Sequence, residues 1–235
     1  MFLRGDLAPA RETVERSYSR QEVMDSRRLP ETEKPYFTPG FPLPVPLLHG
    51  SRIGSLDGEP TAPMRANTSG PFKSDTGQLV WRTGTNETGL VTIDSPRSQG
   101  LVGYVKANNQ EVSNLSANVK NDFCSIVVNS LESKPIASAG ELLLTACVRV
   151  ENTGMQWDAE RTRVTEPGGS PTLIEPVTGA ITLRNLKPAT RVSAIAMDGS
   201  GRPIGDPIIA KKTDAGWEIP VGEPVTTWYE VTVER

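Results

Sequence analysis

ELLLTACVRVEN, residues 141–152, is the longest and most apolar run in the chain. It holds no proline or glycine and mixes aliphatic with β-branched side chains, which suits a buried strand rather than a turn or a solvated helix. A run of this kind needs neighbours on both sides, so it predicts a central strand of a sheet. The same composition recurs on either side of it. Before it come QLVWRTG (78–84), GLVTIDS (89–95), GLVGYVKA (100–107), SNLSANVK (113–120) and FCSIVVNSL (123–131). After it come TLIEPV (172–177), AITLRNL (180–186), RVSAIAMD (191–198), PIIAKKT (207–213), GWEIPV (216–221) and TTWYEVTVE (226–234). In the last of these Tyr229, Val231 and Val233 fall on one face and Trp228, Glu230 and Thr232 on the other, the period-two pattern of a half-buried strand. TNETG (85–89) and DGSGR (198–202) read as turns between such runs. About ten strands with no strong helix between them predict an all-β fold, an antiparallel two-sheet sandwich of Ig-like or jelly-roll-like kind over 72–235. A closed barrel is the alternative.

The residues before the sandwich read differently. APARETVERSYSRQEV (8–23) has helical character but lacks the long apolar face of a self-standing helix. Residues 1–29 are therefore expected to be a short helical remnant. Between Pro30 and Pro63 stand eight prolines, each removing a backbone donor and fixing φ, so 30–71 predicts an extended, partly polyproline strap without helix or central strand. The strap carries Tyr36, Phe37, Phe41, Leu43, Val45, Leu47 and Leu48, too apolar for a free linker. It is expected to lie across a surface, either the sandwich or a missing partner, or to drive self-association through 30–63.

Composition excludes several classes. The 235 residues carry a net charge of −3 and no basic cluster, which argues against nucleic acid. No apolar run approaches the ~20 residues a bilayer span needs, so no membrane partner is expected. The first twenty residues have no apolar h-region, so they are not a signal peptide. The two cysteines, Cys124 and Cys147, sit in apolar runs; they read as small buried hydrophobes, with one cross-strand disulfide as the sharper alternative. A zinc site is disfavoured, because His49 is the sole histidine and no CxxC pair exists. DGSG (198–201) begins like a calcium loop, but Ile209 stands where the twelfth-position carboxylate belongs. No cofactor is expected, with calcium at some other loop left open. Asn67, Asn86 and Asn114 head N-x-S/T sequons, relevant only in a glycosylating host.

Several blocks carry a resemblance. SDTGQLVW (74–81), GLVTIDSPRSQGLVGYV (89–105), LLLTACVRVENTGMQW (142–157) and WYEVTVER (228–235) resemble the β-sandwich domain appended to TIM-barrel glycoside hydrolases of the glucanase/β-galactosidase-like kind. MFLRGDLAPARETV (1–14) and YFTPGFPLPVPLLHG (36–50) resemble the last barrel helix and the segment joining barrel to sandwich. The resemblance implies an accessory role in polysaccharide degradation, with a missing N-terminal catalytic barrel as partner and a secreted or periplasmic parent. The catalytic carboxylates of such enzymes lie on barrel strands that would precede Met1, so no catalytic residue is carried onto this chain.

Glycan binding of the β-glucan or xylan type would need flat aromatic faces beside polar groups. Trp157, in the polar stretch ENTGMQWDAERTR, is the first candidate platform; its bland reading is a plug at one end of the sandwich. Trp217 follows a glycine and caps a strand end. Trp228, opposite Tyr229, is either exposed or covered by the strap. Trp81 shares a face with Leu79 and reads as core. A stand-alone hydrolase is the second reading, with Asp158 and Glu160, or Asp214 and Glu218, as the carboxylate pair. A purely structural domain packed on the barrel is the third.

Overall fold

The structure, a computed structural model, describes residues 1, 3–25, 45–62, 69–84, 88–108 and 111–235. Of the apolar residues of the expected strap, Tyr36, Phe37, Phe41 and Leu43 lie outside the described residues.

In chain order the elements before the sandwich are β1 (Thr13–Ser17), α1 (Arg20–Asp25), α2 (Val45–Leu48) and β2 (Gly50–Ser55). The first half of the sandwich holds β3 (Phe72–Lys73), β4 (Leu79–Arg82), β5 (Leu90–Asp94), β6 (Ser98–Gly103), α3 (Val105–Asn108), β7 (Glu111–Val112), β8 (Leu115–Val119), β9 (Cys124–Ser130) and β10 (Glu141–Thr153). The second half holds β11 (Gln156–Trp157), β12 (Val164–Glu166), β13 (Gly169–Pro176), β14 (Gly179–Leu183), β15 (Arg191–Met197), β16 (Pro203–Ile209), β17 (Lys211–Thr213), β18 (Gly216–Val221) and β19 (Trp228–Glu234).

Two antiparallel sheets result. The larger runs β16-β15-β19-β10-β9-β6-β5-β4-β3, with β13 added along the far half of β10; the smaller runs β17-β18-β14-β8-β7. The expected all-β architecture is present, and the apolar run 141–152 is central, flanked by β9 and β19. Strict alternation explains the packing. Ile126 and Val128 of β9, Leu142 and Leu144 of β10, Val192 and Ala194 of β15, and Tyr229 and Val231 of β19 are all buried. They meet Leu115, Ile181, Leu183 and Ile219 of the smaller sheet in one core, each Leu or Ile contributing roughly 1.5–3 kcal/mol of burial. A polar bridge crosses near one edge. Gln99 of β6 donates to Asn114 Oδ1 (3.1 Å) and accepts from Asn114 N (2.7 Å), while Asn114 Nδ2 donates to the Arg184 carbonyl (2.9 Å).

Two expectations for the leading segment are corrected. Residues 13–17 are not helical: β1 pairs in parallel with β2, and helix begins only at Arg20. Pro9 and the β-branched pair Thr13 and Val14 disfavour a helix there. A capping box fixes the later start, with Ser19 Oγ accepting from Glu22 N (3.2 Å) and Glu22 Oε2 accepting from Ser19 N (2.9 Å). The strap was expected to exclude helix and central strand; Val45–Leu48 is nonetheless a short helix, while the strand Gly50–Ser55 is an edge of a two-stranded sheet. Pro46 sits early enough in α2 that its missing N–H costs nothing, and 50–55 contains no proline. Val14, Tyr18, Val23 and Val45 form a small satellite core.

Among the described residues, hydrogen bonds at Asp75 and at Asp6 fasten this leading segment to the sandwich, and Ala8 N donates to Gln78 Oε1 (2.7 Å). Asp75 Oδ2 accepts from Glu12 N (3.0 Å) and lies 3.2 Å from His49 Nδ1, while Asp75 N donates to the Leu48 carbonyl (2.9 Å). Asp6, its side chain fully buried, accepts from Arg4 Nε (3.1 Å) and Ser98 Oγ (2.8 Å) and lies 3.4 Å from Arg97 Nε; Arg4 also donates to the Ser130 carbonyl (2.9 Å).

Candidate functional site

The four tryptophans take different places. Trp81 packs against Phe72 with ring centroids 5.4 Å apart and is half-buried. Trp157 forms β11 of the small β11–β12 hairpin, where the Arg161 guanidinium lies over its ring at 5.3 Å; Arg161 is itself paired with Glu151. One face of the indole is therefore already covered by a cation anchored in its own hairpin. Trp217, half-buried, has the Lys212 ammonium 5.5 Å from its ring centroid, its neighbour in the β17–β18 register.

Trp228 differs. It is 41% exposed, and it stands at the start of β19 between Met197 of β15 and Thr145 of β10. It forms a wall of a groove of ≈ 480 Å³ built from the end of β13 (Ile174, Pro176), the β15–β16 hairpin (Met197, Asp198, Gly199, Ile204) and the approach to β19 (Val225, Thr226, Thr227). Hydrogen bonds hold these pieces in place. Thr226 Oγ1 donates to the Met197 carbonyl and accepts from Trp228 N (3.2 Å). The Ala146 N–H donates to the Thr227 carbonyl (2.8 Å). In the hairpin tip, Asp198 Oδ1 accepts from Ser200 N (2.8 Å), Ser200 Oγ (2.7 Å) and Arg202 N (2.9 Å). The result is a mainly apolar trough with an aromatic wall and a carboxylate beside it, the usual make-up of a small-ligand seat.

Comparison with protein-family models, with curated proteins and with solved structures found no match.

The groove must therefore be read from its own chemistry. DGSG (198–201) is a hairpin turn whose aspartate Oδ1 is bonded within its own loop, and these bonds, the Arg202 N–H first, hold the Asp198 carboxyl below the usual range. Asp158 is placed likewise: Thr162 N (2.8 Å) and Thr162 Oγ1 (2.9 Å) donate to it, and the Thr162 N–H leads the contacts that lower its pKa. A glycosidic general acid needs a raised pKa, the opposite direction. Glu218 faces Lys211 and Thr182 across its two neighbouring strands, and Asp214 lies in the β17–β18 turn. Among the described residues no group of three or more His, Cys, Asp or Glu could hold a metal ion, and no helix is long and apolar enough to cross a membrane.

The cysteines are free. Cys147 faces Ser125, not Cys124, in the β9–β10 register, so the two thiols point to opposite faces of the sheet. Burial pushes the Cys124 thiol up to about 11, which makes it a core residue without nucleophilic character. The sequon at Asn114 is closed to glycosylation, since this residue is 7% exposed and its amide nitrogen is bonded to Arg184; Asn67 and Asn86 lie outside the described residues.

Proposed function

We propose that this chain is a non-catalytic accessory module of a polysaccharide-degrading glycoside hydrolase and that it holds glycan in the Trp228 groove. The observation that carries the reading is the indole of Trp228, 41% exposed, on the wall of a ≈ 480 Å³ trough. A flat aromatic face is what the apolar side of a pyranose ring stacks on, and Met197, Ile174 and Val225 extend that surface. Trp157 and Trp217, the other two candidate platforms, each already carry a cation over the ring. Resemblance of four sequence blocks to hydrolase-appended sandwiches supports the same reading. The Asp158 carboxyl, held low by the Thr162 N–H, is unsuited to the general-acid part of the hydrolase reading.

The test is affinity electrophoresis in gels containing soluble β-glucan or xylan, run beside a reducing-sugar assay on the same polymers. Retention without sugar release is expected. Truncating an anchoring aromatic costs about 2 kcal/mol or more, so W228A should lose retention while W157A and W217A keep it. Equal retention of W228A and wild type would move the seat elsewhere, and release of reducing sugar by the purified chain would replace the reading with hydrolysis.

A second reading rests on a separate observation. Val150, Leu173 and Ile174, on the paired ends of β10 and β13, are 58%, 54% and 48% exposed. Val150 and Ile174 share one face of this ribbon and Leu173 stands on the other, so apolar surface on both sides favours packing against another domain, and the barrel implied by the resemblance is a partner of that kind.

A further inference from the structure

Among the described residues that line the Trp228 groove, Asp198 alone carries a charge. Its place is set by the hairpin, because all three of its hydrogen bonds fall on Oδ1. Arg202 reaches it through the backbone N–H, and no ion pair joins Asp198 to a cationic side chain among the described residues. Of the two threonines of the wall, Thr226 is committed to Met197 and to the Trp228 N–H, and Thr227 gives its carbonyl to the Ala146 N–H. The trough therefore presents a flat indole, aliphatic surface, the Thr227 side chain and one carboxylate that forms no ion pair among the described residues.

We propose that Asp198 is the specificity residue of this groove, admitting neutral sugar chains and rejecting chains of uronic acid or sulfated sugar. This rests on the glycan reading of the groove. A carboxylate is acceptor-only, so it rewards ligands that present hydroxyl donors, and such charge-assisted bonds are roughly twice as strong as neutral ones. A uronate carboxylate or a sulfate ester brings acceptors and like charge to the same place. Asp198 stands at the exposed rim of the trough, so the repulsion acts through water and is strongest where little salt screens it. Selection of this kind works by exclusion, since the aromatic wall would stack on either class of ring.

The experiment compares wild type, D198N, E160Q and W228A by affinity electrophoresis in gels of neutral mixed-linkage β-glucan and of polygalacturonate, each at low and at high salt. Asparagine keeps the Oδ1 acceptor that Ser200 and Arg202 use, so D198N is expected to melt with wild type. E160Q makes the same change in net charge away from the groove. Wild type should be retained by β-glucan and not by polygalacturonate. D198N should gain polygalacturonate retention by roughly fivefold at low salt, with the difference shrinking as salt screens the charge, and E160Q should not. Should D198N fail to fold, T227K places a cation on the same wall and should produce the same gain. Retention of wild type on both polymers, no gain in D198N or T227K, or an equal gain in E160Q would overturn the role of Asp198 while leaving the glycan reading standing. Failure of wild type to be retained on β-glucan would remove the glycan reading, and the role of Asp198 with it.

Discussion

Asp6 shows how one side chain can anchor a segment that has little core of its own. Leu3 close by is fully exposed, so burial of that side chain does not hold the segment down. Burial works to raise the Asp6 carboxyl, but the hydrogen bonds from Arg4 and Ser98 and the charges of Arg4 and Arg97 outweigh it and leave the pKa lowered. A carboxyl depressed in the folded state adds stability that is fully present above its unfolded pKa and is lost as pH falls through the folded value. Amides around residues 4–12 are therefore expected to lose hydrogen-exchange protection in acid, before the sandwich core does. At neutral pH D6A leaves Arg97 without its buried partner. Because Arg4 is partly exposed to water, the cost should be about 1–3 kcal/mol, read as a lowered denaturation midpoint. At the same scale, Cys124 should react with a disulfide reagent only once the chain is unfolded, in keeping with a thiol pushed up to about 11.

Strands depend on what fills their inner face and on how they turn. Leu144 of β10 is fully buried between β9 and β19, and L144A should cost about 2–5 kcal/mol in denaturant unfolding. Gly216 opens β18 with φ +140°, and a Cβ there would press on the Leu183 carbonyl oxygen of β14. G216A should therefore cost about 2 kcal/mol or more. Inner and outer faces were legible in residues 228–234, because alternation is a local property of the sequence; Tyr229, Val231 and Val233 are the buried set. The β1 strand was not legible. Its charged sequence TVERS buries only Arg16, and its partner β2 lies more than thirty residues on, so no local pattern announces the pairing. Proline density likewise hid α2 and β2, because the effect of a proline is confined to its own position and the residue before it.

At the scale of the molecule, the all-β class followed from short β-branched runs and turns, while the strand order did not, since nothing in β19 names β10 and β15 as its neighbours. The candidate groove has the same history. Trp228 could be singled out as facing away from Tyr229, but Ile174, Met197, Asp198 and Val225 reach it from separate hairpins, and only the closed sheet brings them together. The position of β19 also governs when the fold can form. This strand is inserted between β10 and β15, so a ribosome that has delivered the chain only as far as residue 220 has produced β10, paired with β9 and β13, and β15, paired with β16, each with one edge still waiting for β19. Synthesis must pass residue 234 before those hydrogen bonds can form, and until then the two waiting edges are open to any other strand that reaches them.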